Sequence, residues 1–281
     1  MNKLSAAVAT AGILMLLLVL IPGSSYAAAQ QSPVEAPTQS PPQSLVEPPS
    51  SAAQLIADVL ERTRGLSSFS ELSMTVHRPK WERNSALKAW TRGDSDSLIR
   101  FTQPAREAGN GTLKAGSQMW TYTPKLNRVI RLPSSMMGQS WGGSDFSYND
   151  LARSDELKEY FDHSFEVATE STHPEADGHQ VYTITSVPHA DAPVVWGKQV
   201  LKIRDDIVLL EQTFYDQDLK PLKRMVGHDI KDVGDGRVIA MRMRMHSLED
   251  EGHWTEVVYK NIDFNVDLND QLFTQFSLKN P

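Results

Sequence analysis

The sequence predicts an α+β protein: a curled antiparallel sheet forming an incomplete β-barrel, with helices over its mouth. Three observations predict it. Nearly everything after Phe69 alternates polar with apolar residues or is rich in β-formers, with turn residues at intervals of about ten. The runs are joined by tight turns such as Arg204-Asp205-Asp206 and Gly234-Asp235-Gly236, so hairpin follows hairpin and the pairing is antiparallel. About a dozen strands are more than one flat sheet comfortably holds, and such a sheet curls or splits.

The elements follow in chain order. Lys3 is the only charge before Glu35, and Ala6 to Ile21 is an almost unbroken apolar run closed by Pro22-Gly23. Ser25-Tyr26-Ala27 then places small residues where a signal peptidase needs them. Residues 1–27 thus read as a signal peptide cut after Ala27, with Ala29 the alternative site. An uncleaved anchor is the rival reading, since the run is just long enough to span; the small-residue exit favours cleavage. Residues 28–50 hold Pro33, Pro37, Pro41, Pro42, Pro48 and Pro49 among Gln, Ser and Glu. That composition buries no core and reads as a disordered, extended linker. The folded domain is expected over 51–281.

It opens with a helix to Arg64, N-capped by Ser50 or Ser51 and closed by Gly65. Leu55, Ile56, Val59 and Leu60 form one apolar stripe, so this helix must lie on something. Strands are expected near 70–78, 86–93, 97–103, 111–114, 117–123, 127–132, 165–170, 180–187, 195–204, 207–215, 221–231, 237–247 and 253–262. Between Pro133 and Tyr160 the pattern breaks into a Gly/Ser-rich loop and a short helix from about Asp155 to Tyr160, capped by Ser154.

The 281 residues include no cysteine, which excludes disulfide scaffolds, thiol catalysis, Cys-bound zinc and a lipidated cysteine. A net charge of −7, lowered to −8 when residues 1–27 and their Lys3 are removed, argues against a general nucleic-acid binder. None of the eight His pairs at helical ligand spacing, and no nucleophile elbow or phosphate loop occurs. No catalytic residue, metal or cofactor is therefore expected. Asp94/Asp96 and Asp216/Asp218 sit in turn sequences and read as solvated turn chemistry.

The apolar side chains say more. Met241, Met243 and Met245 alternate with Arg242 and Arg244, so the three methionines share one face of a strand. They are either adaptable filler for a variable apolar partner or an ordinary core strand. Trp120 and Tyr122 are same-face neighbours on another strand. The third cluster is the segment from Ser135 to Leu151, with Met136, Met137, Trp141, Phe146 and Tyr148 among glycines. A loop so apolar either plugs the core or forms a movable lid.

At these residues the sequence resembles the outer-membrane lipoprotein-sorting protein family, the LolA-like carriers of the bacterial envelope. The resemblance runs through Phe101–Pro104, Gly111-Thr112-Leu113-Lys114, Trp120–Pro124, Arg128–Ser134 and Gly143–Leu151, then Phe214-Tyr215-Asp216 and the C-terminal hairpins. It implies a half-barrel closed by helices over an apolar cavity for acyl chains. It also implies a periplasmic carrier exchanging a lipoprotein or lipid between an inner-membrane transporter and an outer-membrane acceptor. The branch it points to is a less-characterised one. On that reading the cavity and its lid are expected from Leu55, Val59, Trp120, Tyr122, Met136, Met137, Trp141, Phe146, Tyr148, Met241, Met243 and Met245, in a monomer that is not an enzyme. Two alternatives stand beside it: a non-catalytic docking module of an export system, and a lipid or glycan hydrolase using Asp145 and Asp150.

Overall fold

The computed structural model describes residues 51–152, 156–166 and 173–280. The expected signal peptide, linker and Ser154 cap lie outside these, as does most of the strand expected at 165–170. The first element is α1 (Ala52–Arg64), N-capped by Ser51, whose hydroxyl accepts from the Gln54 amide at 3.1 Å. It stops at Gly65, where φ is +64°, a conformation that glycine adopts without strain.

Thirteen strands follow: β1 (Ser67–Arg78), β2 (Trp81–Arg92), β3 (Asp96–Gln103), β4 (Gly111–Ala115), β5 (Gln118–Thr123) and β6 (Arg128–Arg131), then β7 (Phe161–Phe165), β8 (Val181–Pro188), β9 (Lys198–Arg204), β10 (Leu209–Tyr215), β11 (Pro221–Asp232), β12 (Val238–Ser247) and β13 (Trp254–Phe264). They form one sheet in the order β6-β5-β4-β3-β2-β1-β13-β12-β11-β10-β9-β8-β7. Every pairing is antiparallel, so the sheet is two meanders joined where β1 meets β13. It is not closed: β6 and β7 end the order. Between them run α2 (Tyr148–Ala152) and α3 (Glu156–Tyr160), and the chain finishes in α4 (Gln275–Lys279).

Strand parity separates the two faces of the sheet. Ser68, Ser70, Leu72, Met74 and Val76 of β1 point inward, opposite Thr91, Ala89, Leu87, Ser85 and Arg83 of β2. On the inner face α1 packs Leu55, Ile56 and Val59 against Ile184, Leu201 and Ile203 of β8 and β9. At the other end of that face, Trp141 and Phe146 of the loop pack with Met74, Val76, Leu87 and Met245. On the outer face Leu98, Leu113 and Tyr122 are covered by Phe273 and by Leu278 of α4. The chains approach closely there: a Cβ on Gly111 would lie 2.7 Å from a Leu278 methyl, which would have to shift.

Candidate ligand cavity

Between α1 and the loop the inner face is not filled. A cavity of about 350 Å³ remains, within the range of about 300–1,000 Å³ typical of small-molecule sites. Its walls come from β1, β2, β3, β10, β11, β12 and β13, and its covers from Leu60, Thr63 and Arg64 of α1 and from Trp141, Phe146 and Leu151. The surface is mainly apolar, with Leu72, Leu87, Ile99, Met225, Met243 and Val257 among the residues that line it. Two small features keep it open. Ala89 and Ala240 present only methyl groups, and a Cβ on Gly227 would lie 2.9 Å from the Ala240 Cβ.

Of the residues expected from sequence, Trp141, Phe146 and Met243 line this cavity. Leu55 and Val59 instead hold α1 to the sheet, and Met245 packs at the closed end beside Val76. Met136 and Met137 lie behind the loop against Met119 and Leu132, with Tyr148 bridging that cluster and the one around Trp141. The expected lining is corrected at Trp120 and Tyr122. They share a face, but it is the outer one: Trp120 pairs with Leu113, which pairs with Leu98, and α4 covers the row. Met241 is half-buried and does not line the cavity. Ala240 and Met243 both do, three residues apart, so strict alternation fails between them.

The loop is held by polar contacts rather than by shape alone. Arg78 Nη1 meets Asp145 Oδ2 at 2.9 Å, and the Thr255 hydroxyl donates to the same oxygen at 2.6 Å. Lys223 pairs with Asp150, whose carboxylate also accepts from the Ser147 amide at 2.6 Å. The Ser147 hydroxyl in turn accepts from the Asp150 amide at 3.3 Å, a capping box that starts α2. Trp141 donates its indole N–H to Thr112 Oγ1 at 3.0 Å, and Arg83 and Arg78 donate to the carbonyls of Gly142 and Gly143. The Ser147-Tyr148-Asn149-Asp150 pattern is the sequence signal that could have placed α2.

Both carboxylates of the hydrolase alternative are thus paired with cations, Asp145 also accepting from the Thr255 hydroxyl and Asp150 from the Ser147 amide. Among the described residues one trio, His179, Asp205 and Asp206, has metal-ligand spacing; Arg204 holds Asp206 through contacts of 2.9 and 2.5 Å. Tyr259, on the cavity wall, has its phenol pushed up by burial, with Arg64 pulling the other way. No helix of the described residues is long and apolar enough to cross a membrane.

An unclosed antiparallel sheet with helices over an inner cavity defines a LolA-like fold, and solved structures match it. A domain from Vibrio parahaemolyticus named for outer membrane lipoprotein sorting is 22% identical over 81% of this chain and 98% of its own, with TM-score 0.71. A DUF1329 family protein from Desulfovibrio piger is 24% identical over 81% of this chain and 97% of its own, with TM-score 0.72. A LolA superfamily protein from Nitrosomonas europaea is 18% identical over 81% of this chain and 99% of its own, with TM-score 0.66. Within that fold, a family model described as "Uncharacterized protein" matches residues 93–280, and the chain belongs to that family. No curated protein matches the sequence.

Proposed function

We propose that residues 51–281 form a periplasmic carrier that takes the acyl chains of a lipoprotein or lipid into this cavity and passes the cargo between envelope components. The observation that carries the reading is the mainly apolar cavity between two covers. Burying a methylene gains roughly 0.8 kcal/mol, so a lined cavity binds a chain with no catalytic group. Release then falls to a partner that moves a cover, and an inner-membrane transporter and an outer-membrane acceptor are the partners this reading assigns. Residues 1–27 route the chain for export and residues 28–50 tether the domain. The V. parahaemolyticus neighbour, named for lipoprotein sorting, supports the reading through its shared fold.

The test is native mass spectrometry of the protein purified gently from its own envelope. A carrier retains lipid in a fixed ratio. Ligand-free protein that also fails to take up a fluorescent acyl probe overturns the reading and leaves the docking module.

A further inference from the structure

The two ends of the open sheet differ in charge. From Ala108 to Ser144 the sequence holds Lys114, Lys125, Arg128 and Arg131 and no acidic residue, in a chain whose net charge is −7. Lys114 is buried, and its ammonium reaches the Asp94 carbonyl at 2.5 Å. The other three fall on the turn Pro124–Leu126 and on β6, which ends the sheet. Lys279 of α4 joins them, because Val129 of β6 packs against the apolar cluster that holds Leu278. All four of these cations are exposed, and none of their side chains has an ion pair or hydrogen bond to a described residue.

Apolar side chains stand out among them: Leu126 is 63%, Ile130 46% and Phe276 of α4 77% exposed. Their neighbours are anchored. Tyr122 donates its hydroxyl to Asn127 Oδ1 at 3.4 Å beside Leu126, Ile130 pairs with Thr121, and Leu278 seats α4 over Gly111 two residues after Phe276. Arg128 and Ile130 share the parity of Thr121, and Arg131 that of Trp120, so the patch wraps the edge instead of lying on one face. Charge on an edge strand guards it against strand pairing, which accounts for Arg128 and Arg131. It does not account for three exposed apolar side chains beside Lys125 and Lys279, a combination that marks an interaction site. At the other end of the sheet Phe165 and Val187 are exposed too, but beside Asp162 and Glu166.

We infer that the β6 edge docks on an anionic lipid surface, with Lys125, Arg128, Arg131 and Lys279 among the head groups and Leu126, Ile130 and Phe276 entering the interface. Charge complementarity selects this occupant, since each cation near an anionic leaflet adds to binding, and the apolar side chains add burial. The unpaired backbone groups of β6 keep the contact at head-group depth, where water reaches them. The inference stands on this edge alone and does not need the cavity.

The test is sedimentation of the exported protein with vesicles of phosphatidylglycerol mixed with phosphatidylcholine, against phosphatidylcholine alone. The mixed vesicles should bind it at least about tenfold more tightly, and added salt should weaken that binding. Arg128→Gln combined with Arg131→Gln should cost at least about tenfold, and Leu126→Gln combined with Phe276→Gln a similar factor, with urea midpoints unchanged because all four side chains are exposed. The chain has no cysteine, so Leu126→Cys carries a single environment-sensitive dye. Its emission should move to the blue on mixed vesicles, and that of a dye at Val187→Cys should not. Ala89→Phe, which fills the cavity, should sediment like the wild type. Equal binding to the two vesicles, or an unshifted dye at Leu126→Cys, overturns the inference and leaves the edge to an acidic protein segment. Loss of binding in Ala89→Phe also overturns it, because the cavity then holds the lipid.

Discussion

The two covers of the cavity differ in how much of their hold is charge pairing: both bury apolar side chains, and α1 adds neutral-acceptor contacts, from Arg62 to the Gly236 carbonyl and from Arg237 to the Glu61 and Arg62 carbonyls. Helix α1 is held mainly by greasy contacts, with Leu55, Ile56 and Val59 buried on Ile184, Leu201 and Ile203. The loop carrying Trp141 and Phe146 adds direction-sensitive ones: the Arg78–Asp145 and Lys223–Asp150 pairs, the Thr255 hydroxyl and the Trp141 indole. Apolar burial is non-directional, so a helix can shift over a sheet at modest cost. A nearly buried charge pair is costly to break, because each partner is left uncompensated away from water. On the proposed carrier reading, the difference assigns α1 as the cover that yields and the loop as the fixed one.

Breaking the latch should have the largest effect. The side chains of Arg78 and Asp145 are only 13% and 10% exposed, so Asp145→Ala strands a nearly buried cation. The expected cost is about 3 kcal/mol in urea unfolding. Asp145→Asn, though isosteric, should also be clearly destabilising. A loss below about 1 kcal/mol from Asp145→Ala would make the latch no better than a surface pair.

On the helix the outcome should depend on volume, not on isosteric polarity. Leu55→Ala should cost about 2–4 kcal/mol, whereas Leu55→Met should stay below about 1.5 kcal/mol, both read from urea midpoints. If Leu55→Met is as damaging as Asp145→Asn, the distinction between the two covers collapses. The caps offer a finer comparison. Ser51→Ala removes the hydroxyl that holds the start of α1, and Ser147→Ala the one that starts α2. Each should cost about 1 kcal/mol, and only Ser147→Ala should speed hydrogen exchange in the loop.

The mildest probe is pH. Burial holds the His163, His173 and His246 imidazoles below their ordinary value of 6.5. His163 Nε2 donates to the Leu157 carbonyl of α3 and Nδ1 meets the Ser186 hydroxyl, each at 2.8 Å, so the neutral ring is fully partnered where it is buried. Because the unfolded chain takes up these protons first, stability should be full above the unfolded value and fall as pH drops below about 6.5. Asp94, lowered by Lys158, adds a second loss only in more acidic solution, below its ordinary 3.8. Urea midpoints measured between about pH 8 and about pH 5 check the first window; a flat profile would contradict it.

How much of this could be read in the sequence follows the same division. Helix α1 was legible because its stripe, its Ser51 cap and its Gly65 stop are all local. The antiparallel curled sheet was legible from alternation and turn spacing. The loop's aromatic content stood out too, but its latch did not, since Arg78 and Asp145 meet only through the tertiary fold. Trp120 and Tyr122 show the limit most clearly. Alternation correctly put them on one face, but which face is inner depends on what covers it. The cover, α4, is five residues long, too short to announce itself by periodicity. Val257 and Tyr259 could not be assigned to the cavity wall from sequence, because the β1–β13 pairing that frames it joins opposite ends of the domain.

The most direct measurement is equilibrium titration of a fluorescent acyl probe into the wild-type chain and into Ala89→Phe. Ala89 lies on the cavity wall between Ser70 and Ile99, so a phenyl ring there occupies the space a chain would take. The wild type should bind one probe saturably. The variant, still unfolding cooperatively, should bind at least about tenfold more weakly. Undiminished binding by a folded Ala89→Phe variant would place the acyl chain outside this cavity and contradict the carrier reading.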